Sequence, residues 1–379
     1  MTRLLPGSTI GILGGGQLGR MTAMAARELG FHIRVLDPDP SCAARFVVEE
    51  LVAASFDDEV AAAWLAHRSD VVTLEIEKVS LASLDAAAKH APVRPSRDVL
   101  AIIQDRAAQK TWLDRGGFPL GPYRIATTAT ELEEAILSLG GPCFVKSATG
   151  GYDGRSQVEV TSAREANDAF ATLGRTKVVA ELALPIEAEL SVLVARSPSG
   201  EVAVYDPAKN HHENRILAWS VIPAPIAPEL ALRARKLGEE IARAIRIEGL
   251  LVVEIFVIGD ELLVNELAPR PHNSFHSTQL ACNVSQFEQH ARAVCDLPLG
   301  SPITLRPAAI VNLLGDLWTP GTPRFSEALA LPGVRLHLYG KREARPGRKM
   351  GHLSATASTP AEAVTIASEA YARLSARGV

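Results

Sequence analysis

The sequence predicts a protein of mixed α/β and α+β architecture, assembled from three regions. Three observations carry this expectation. Strands alternate with helices over the first hundred residues; helices framed by Thr/Ser-x-x-Glu spacings lie among short strands up to about residue 182; and paired apolar strands flank a long helix from residue 187 onward.

In the first region, Ser8 to Leu13 reads as a strand, a glycine run follows, and Gln17 to Leu29 has helical spacing. Strands at His32 to Leu36 and Asp70 to Leu74 complete a parallel, doubly wound pattern. Ser96 is placed to cap one helix running through Leu113 and ending at Gly116-Gly117. In the second region, Thr130 and Glu133 form a capping-box spacing with Gly140 after the helix, and Ser162 and Glu165 repeat it ahead of Gly174. Strands are expected at Cys143 to Ser147, Gln157 to Val160 and Lys177 to Glu181. The third region has strands at Glu189 to Ala195 and Val202 to Tyr205, a helix from Pro228 to Ile245, and paired strands Leu250 to Val257 and Glu261 to Glu266. Ser285 and Glu288 box another helix, and Thr359, Pro360 and Glu362 open a terminal one.

Composition narrows the class. Among 379 residues, 47% are apolar and 22% charged, ordinary for a globular protein with a sizeable core. A net charge of -4 gives no global attraction for nucleic acid or an anionic membrane. The longest apolar stretch, Leu250 to Ile258, is too short to span a bilayer and carries Glu254. Gly11 and Gly14 to Gly16 interrupt the first apolar run, so a cleaved export signal is not expected. Cys42, Cys143, Cys282 and Cys295 lie far apart with no CxxC pair, which reads as buried thiols of a cytoplasmic protein.

Gly14-Gly15-Gly16-Gln17-Leu18-Gly19 fits GxGxxG between a strand and a helix, and Asp37 ends the second strand. That combination admits three readings: a dinucleotide site, a tight turn needing glycine, or a helix N-terminus that receives a phosphorylated substrate or its sugar. A second glycine loop, Lys146 to Arg155, sets Lys146, Gly150, Gly151, Gly154 and Arg155 close together, as a mobile cover for phosphates would need. It is not a Walker loop, because GxxxxGK[ST] is absent. Arg106 and Lys110 are i,i+4 neighbours that could face the same polyphosphate, or be a solvated face.

Glu254 interrupts an apolar strand and Glu266 ends its partner. An odd-length turn, Gly259-Asp260-Glu261, sets the two acids opposite each other on one face. A two-residue Gly259-Asp260 turn sets them on opposite faces. Facing acids need a cation between them, and magnesium with substrate phosphates fits; the bland alternative pairs one acid with Arg270 and leaves the other exposed. Arg270, His272 and Asn273 follow on a proline-stiffened loop, and Lys341, Arg342, Arg345, Arg348 and Lys349 form a basic stretch that suits one phosphate monoester.

The segments GGGQLGRM, LEIEKV, GGYDGRSQ, NHHENRIL, NELAPRPHNS, SQFEQH and RPGRKMGHL, in this order, resemble the ATP-grasp superfamily and within it the 5-(carboxyamino)imidazole ribonucleotide synthases. The resemblance runs from Gly11 to about Leu353. It implies an ATP-grasp fold with an N-terminal Rossmann-like domain (1–100), a linker helix and small lid (101–185), and a larger ATP-binding domain with a C-terminal substrate-phosphate segment (186–379). It implies a homodimer that uses magnesium, ATP, bicarbonate and aminoimidazole ribonucleotide, and neither nucleic acid nor membrane. By position, Arg106, Lys146 and the loop Gly151, Tyr152, Asp153, Gly154, Arg155, Ser156 and Gln157 would hold the ATP phosphates. Glu181, Leu182, Ala183 and Leu184 would line the adenine slot, Glu189 would take the ribose, and His212 would lie near the nucleotide. Glu254 and Glu266 would bind the metal, with Asn265 beside it. Gln17, Leu18, Glu75, Tyr152, Arg155 and Asn273 would meet the ribonucleotide, and Lys341, Arg348 and Lys349 its phosphate. Arg270, His272, Arg155 and Asp153 are the catalytic candidates.

The chain departs from the family pattern in places. Leu74-Glu75-Ile76-Glu77-Lys78 stands where FEFEN is usual; Phe275 and Ser277 stand where glycine and an aromatic are commoner; Ser156 replaces a loop glycine; Ala268 replaces a metal-binding Asn of many ATP-grasp enzymes. The nearest rival is another ATP-grasp carboxylate-amine ligase, such as the formate-using glycinamide ribonucleotide enzyme. An NAD-dependent oxidoreductase leaves Lys146 and the carboxylate pair without a role. A non-catalytic nucleotide binder leaves the retained charges unexplained.

Overall fold

The alternation expected over the first hundred residues folds as four parallel strands: β1 (Thr9–Leu13), β2 (His32–Asp37), β3 (Glu50–Ala53) and β4 (Val71–Leu74), in the order β3-β2-β1-β4. A computed structural model describes residues 3–150 and 157–375. Helices α1 (Gln17–Glu28), α2 (Glu59–His67) and α3 (Leu81–Ala88) connect or cover these strands. The chain reverses direction across the sheet at β1, so a crevice opens beyond the carboxyl ends of β1 and β4, where Gln17 and Glu75 follow their strands.

The single helix expected after Ser96 is two: α4 (Arg97–Gln104) and α5 (Arg106–Arg115). Asp105 leaves the helical region (φ -108°, ψ 108°), and its carboxylate accepts the N–H groups of Ala107 and Ala108. A strong N-cap residue thus starts a new helix inside a continuous helical pattern. The break makes Arg106 the first residue of α5 and turns its N–H onto the carbonyl of Ala148 at 2.7 Å.

The second region is an antiparallel sheet, β5 (Tyr123–Ala126), β6 (Cys143–Ser147), β7 (Gln157–Val160) and β8 (Val178–Leu182), in the order β5-β8-β6-β7, with α6 (Ala129–Leu139) and α7 (Ala166–Thr172) packed on it. The expected Thr130 box is displaced. Thr128 caps α6 from Glu131, whose carboxylate reaches back to Thr127. Two Thr-x-x-Glu frames overlap here, and the earlier one adds two residues to the helix and sets Ala129 against the lid core. The Ser162–Glu165 box and the left-handed Gly140 (φ 74°) form as expected.

The third region centres on a nine-stranded antiparallel sheet. Its members are β9 (Ala188–Arg196), β10 (Val202–Val204), β11 (Ala208–Glu213), β12 (Ile216–Ile222), β13 (Gly249–Ile258), β14 (Glu261–Ala268), β15 (Ala308–Leu314), β16 (Val334–Leu338) and β17 (Lys349–Thr356). Helices α8 (Pro228–Ala244), α9 (Thr278–Ala281), α10 (Gln286–Val294), α11 (Phe325–Leu329) and α12 (Pro360–Ser375) accompany it. Strands β11 and β12 escaped the sequence reading. They join through Asn214 and Arg215, both at positive φ (49° and 66°), the two-residue turn that suits twisted hairpins. The C-terminal strands continue this same sheet rather than forming their own. Helix α10 ties the regions together, because Ala291, Val294 and Cys295 pack into the core of the first sheet. All four cysteines are buried free thiols, as their spacing implied.

Candidate active site

The first glycine loop is filled from inside the protein. Gly15 N–H donates to the Asp37 carboxylate (2.7 Å), and Gly16 and Gly19 N–H donate to the two oxygens of Glu75 (2.8 Å each). A Cβ at Gly16 would lie 2.4 Å from Glu75 Oε1, and one at Gly15 would lie 2.4 Å from Cys42 Sγ. The glycines therefore make room for protein side chains, which is the tight-turn reading. A phosphate at this helix N-terminus would meet two carboxylates already using its donors, so the dinucleotide and phosphate readings both fail here. Burial pushes Glu75 up to about 6, against the pull of its two N–H bonds and of Arg270. Asp37 is raised by the same cause.

At the hairpin, β13 and β14 join by the two-residue turn Gly259-Asp260, with Ile258 opposite Glu261. That turn was expected to separate the two acids. It does not, because the register shifts between Glu254 and Ile255, leaving Asn265 as an extra residue, and Glu254 comes to pair with Glu266. A β-bulge moves every later side chain to the other face. Asn265 Nδ2 reaches Glu254 Oε2 at 3.4 Å. The bland alternative holds only in part: Glu266 is exposed and meets Arg106 (3.3 Å), but Arg270 Nε pairs with Glu77 (2.8 Å), and Glu254 lies against His272 Nε2 (3.2 Å). Loss of hydration would raise Glu254, yet His272, His212 and Arg270 hold it down at about 2. Glu266 is raised, first by loss of hydration and then by the facing Glu254, despite Arg106 and Lys146. Its side chain keeps 50% of its surface. A divalent cation held between these oxygens would relieve that repulsion. Among the described residues no group of three or more His, Cys, Asp and Glu is arranged to hold a metal, so phosphate oxygens and water would complete the shell, as magnesium prefers.

Cations converge on this pair from the lid and from α5. Arg106 spans Glu266 and the carbonyl of Ser147 (3.4 Å). Lys146, on β6 opposite Gln157, bonds Glu181 Oε2 at 2.5 Å, and Lys110 reaches the other oxygen at 3.3 Å. Lys110 is therefore neither a solvated face nor an open phosphate ligand. Its side chain is 4% exposed, and burial lowers its pKa despite Glu181. Burial would likewise raise Glu181, but the two lysines and Arg106 hold it at about 2. Leu182, Ala183 and Leu184 carry the chain from β8 toward β9, pinned by Leu182 N–H to Pro122 O and Ala183 N–H to Pro142 O. Glu189 and His212 meet at 2.6 Å, and this contact raises the imidazole above its ordinary value although burial opposes it.

Gln17, Leu18, Glu75, Ile76, Glu77, Arg270, His272, Asn273 and Lys349 line a pocket. Lys341 Nζ bonds Gln17 Oε1 (2.6 Å) and the Lys349 carbonyl (2.7 Å), so the basic segment reaches the crevice above β1. Arg348 bonds the Glu343 carbonyl and lies near enough to Asp39 to help lower that carboxyl. A shallower groove between α8 and β14, beside Arg233 and Glu240, contains no expected site residue. Glu77 was missed as a site group; a charged residue in an otherwise half-buried run was the available signal. Gly151, Tyr152, Asp153, Gly154, Arg155 and Ser156 lie outside the described residues.

Known proteins match this arrangement along the chain. The ribonucleotide synthetase pre-ATP-grasp domain family matches residues 7–104, the ATP-grasp domain family 111–287, and the phosphoribosylaminoimidazole carboxylase C-terminal domain family 308–365. The N5-carboxyaminoimidazole ribonucleotide synthase of Brucella melitensis is 43% identical over 356 residues, 93% of this chain and 97% of that protein. The chain belongs to the N5-carboxyaminoimidazole ribonucleotide synthase family. The Bacillus subtilis synthase is 39% identical over 93% of this chain and 92% of its own length. A solved ADP complex of such a synthetase superposes with a TM-score of 0.91, at 42% identity and 98% coverage of both chains. The Aspergillus clavatus enzyme, solved with ADP and 5-aminoimidazole ribonucleotide, gives 0.88 at 32% identity, covering 97% of this chain and 98% of that one. Membership in this synthase family makes the chain an ATP-dependent ligase of purine biosynthesis with an ATP-grasp fold, as the resemblance implied, and the oxidoreductase reading falls.

Proposed function

We propose that the chain joins bicarbonate to the exocyclic amine of 5-aminoimidazole ribonucleotide, giving N5-carboxyaminoimidazole ribonucleotide with ADP and phosphate as the other products. The observation that carries this reading is the contact of His272 Nε2 with Glu254 Oε1 at 3.2 Å. His272 lines the substrate pocket, and Glu254 belongs to the acid pair that Arg106 and Lys146 flank. One side-chain contact thus joins a phosphate-handling half to an amine-handling half.

Bicarbonate oxygen attacks the γ-phosphorus, the bond to the β-phosphate oxygen breaks, and ADP leaves; the carboxyphosphate so formed loses phosphate as the amine nitrogen takes its carbon. Arg106 and Lys146 spread the charge of the transferring phosphoryl group. Glu254 and Glu266 would hold magnesium, which, when bound, neutralises developing charge on the phosphate oxygens. Arg270, fixed by Glu77, orients bicarbonate, and His272 handles the amine proton. By family position, Tyr152, Asp153 and Arg155 would meet the imidazole end of the substrate, and the site must exclude water while the intermediate exists. Adenine lies along residues 181–184, with its ribose at Glu189 and His212 beside it. Lys341 and Lys349 take the substrate phosphate, while Gln17, Leu18, Glu75 and Asn273 meet its ribose and imidazole. The three divisions 1–100, 101–185 and 186–379 act as substrate platform, lid and nucleotide clamp. The enzyme works as a cytoplasmic homodimer; no helix among the described residues is long and apolar enough to cross a membrane.

ADP release is the deciding assay, with ATP, magnesium, bicarbonate and the ribonucleotide omitted in turn. Full turnover is expected only with all four. ATP hydrolysis indifferent to the ribonucleotide, or stimulated by formate in place of bicarbonate, refutes the assignment. A monomer by light scattering refutes the oligomeric state alone.

A further inference from the structure

The segment Ser285 to His290 helps to carry the family resemblance, yet none of its residues lies on the pocket or at the acid pair. Its second residue, Gln286, is wholly buried at the start of α10. Gln286 Oε1 accepts the N–H of His272 at 2.8 Å, and Nε2 donates to the carbonyl of the same residue at 2.8 Å. These two bonds treat one residue of the site loop as a strand treats its neighbour, and they fix which end of the amide is oxygen. Nε2 also contacts His276 Nδ1 at 3.0 Å, a third anchor that keeps the amide from rotating.

The grip matters because of what His272 does with its ring. Its Nδ1 meets the N–H and the hydroxyl of Ser274 at 3.4 and 3.2 Å, which leaves Nε2 facing Glu254 Oε1 at 3.2 Å. Helix α10 makes a stiff anchor: Phe287 packs with Leu18 and Met21, and His290 bonds Thr73 Oγ1 (2.9 Å) beneath the first sheet. We infer that Gln286 is a positioning residue for the carboxylation, holding the His272 backbone so that the imidazole bridges the substrate pocket and the acid pair. This rests on the proposed role of His272 in the reaction.

The helix carries its own control. Three residues on, Gln289 is equally buried and makes the same pair of main-chain bonds, to the N–H and carbonyl of Gly300 at 2.8 Å each, away from the pocket. Gln286→Met and Gln289→Met each remove one such pair of main-chain hydrogen bonds with little change in volume, and Gln286→Met also loses the His276 contact, so both should lower the unfolding temperature, Gln286→Met slightly more. Only Gln286→Met should lose kcat, by about tenfold or more, since small misplacements of reacting groups carry costs of that size; KM for ATP should stay within twofold. Gln286→Glu, which keeps the acceptor for the His272 N–H, should retain an intermediate kcat and serves if the methionine variant does not fold. Equal kcat losses in the two methionine variants, or wild-type kcat in either Gln286 variant, overturn the inference. Absence of ribonucleotide-dependent ADP release in the wild-type enzyme overturns the proposed function instead.

Discussion

Replacing Lys110 by methionine tests how the phosphate-handling half is wired. Lys110 and Lys146 share the Glu181 carboxylate, with side chains 4%, 14% and 12% exposed respectively. Their combined pull takes Glu181 from 4.5 to about 2 in spite of burial. A shift of that size corresponds to about 3 kcal/mol of differential interaction. Lys146 contributes most, Lys110 next, and Arg106 less, so Lys110 supplies on the order of 1 kcal/mol. When Lys146 turns from Glu181 to an ATP phosphate, Lys110 keeps the carboxylate paired. Without Lys110, that turn leaves Glu181 buried and unpaired, and ATP must offset the difference. KM for ATP should then rise about five- to tenfold, with kcat at saturating ATP within twofold. Initial-rate ADP release over a range of ATP concentrations measures both. An unchanged KM, or a loss confined to kcat, refutes the pair-exchange reasoning. A depressed carboxylate adds stability that is present above pH 4.5 and lost as pH falls through about 2. The variant has less of it, so its acid unfolding should begin at higher pH.

Three further outcomes follow from the same geometry. Lys341→Ala should raise KM for the ribonucleotide about tenfold and leave KM for ATP nearly unchanged; a matching change in both means the basic segment is no dedicated phosphate cradle. Glu266→Gln should abolish magnesium-dependent turnover while relieving its repulsion with Glu254, so retained activity with magnesium removes its metal role. Glu75, raised to about 6 from 4.5, is disfavoured as an anion in the folded state, so it withdraws about 2 kcal/mol of stability as pH rises from 4.5 through 6. Urea midpoints of Glu75→Gln should therefore fall less than those of wild type between pH 5 and 7.5, and parallel curves contradict the shift.

Element type was largely legible where side-chain period and capping chemistry agreed, as at α1, α8 and the terminal helix. It failed where a local device overrode the period. Asp105 sits inside an unbroken helical pattern, and only its cap geometry shows the break that aims Arg106. The hairpin is the sharper case. Turn length was left open between two and three residues, and the two-residue turn that forms sets the acids apart under strict alternation; the bulge at Asn265 was not readable, because one extra residue leaves no mark on composition. In the site, the charged residues announced themselves by sitting in apolar or glycine-rich runs. Their pairing did not, since Arg270 was free on sequence grounds to choose Glu254 but bonds Glu77, on a loop nearly two hundred residues earlier.

The first glycine loop shows how electrostatics orients the substrate. A helix N-terminus ordinarily attracts an anion, but here Glu75 and Asp37 already occupy the donors of Gly15, Gly16 and Gly19. That end of the crevice is therefore negative and repels a phosphate monoester. Positive charge is supplied instead from far along the chain, by Lys341 on Gln17 and by Lys349 at the pocket wall. The two signs lie side by side, so a ribonucleotide with a dianionic phosphate and a neutral imidazole has one favourable direction. In the proposed roles, its phosphate would go to the lysines, and its amine would point toward Arg270 and His272. His272 touches Glu254, so the amine ends beside the acid pair where ATP would deliver its phosphoryl group. Substrate direction thus follows from where the fold has spent its helix dipole.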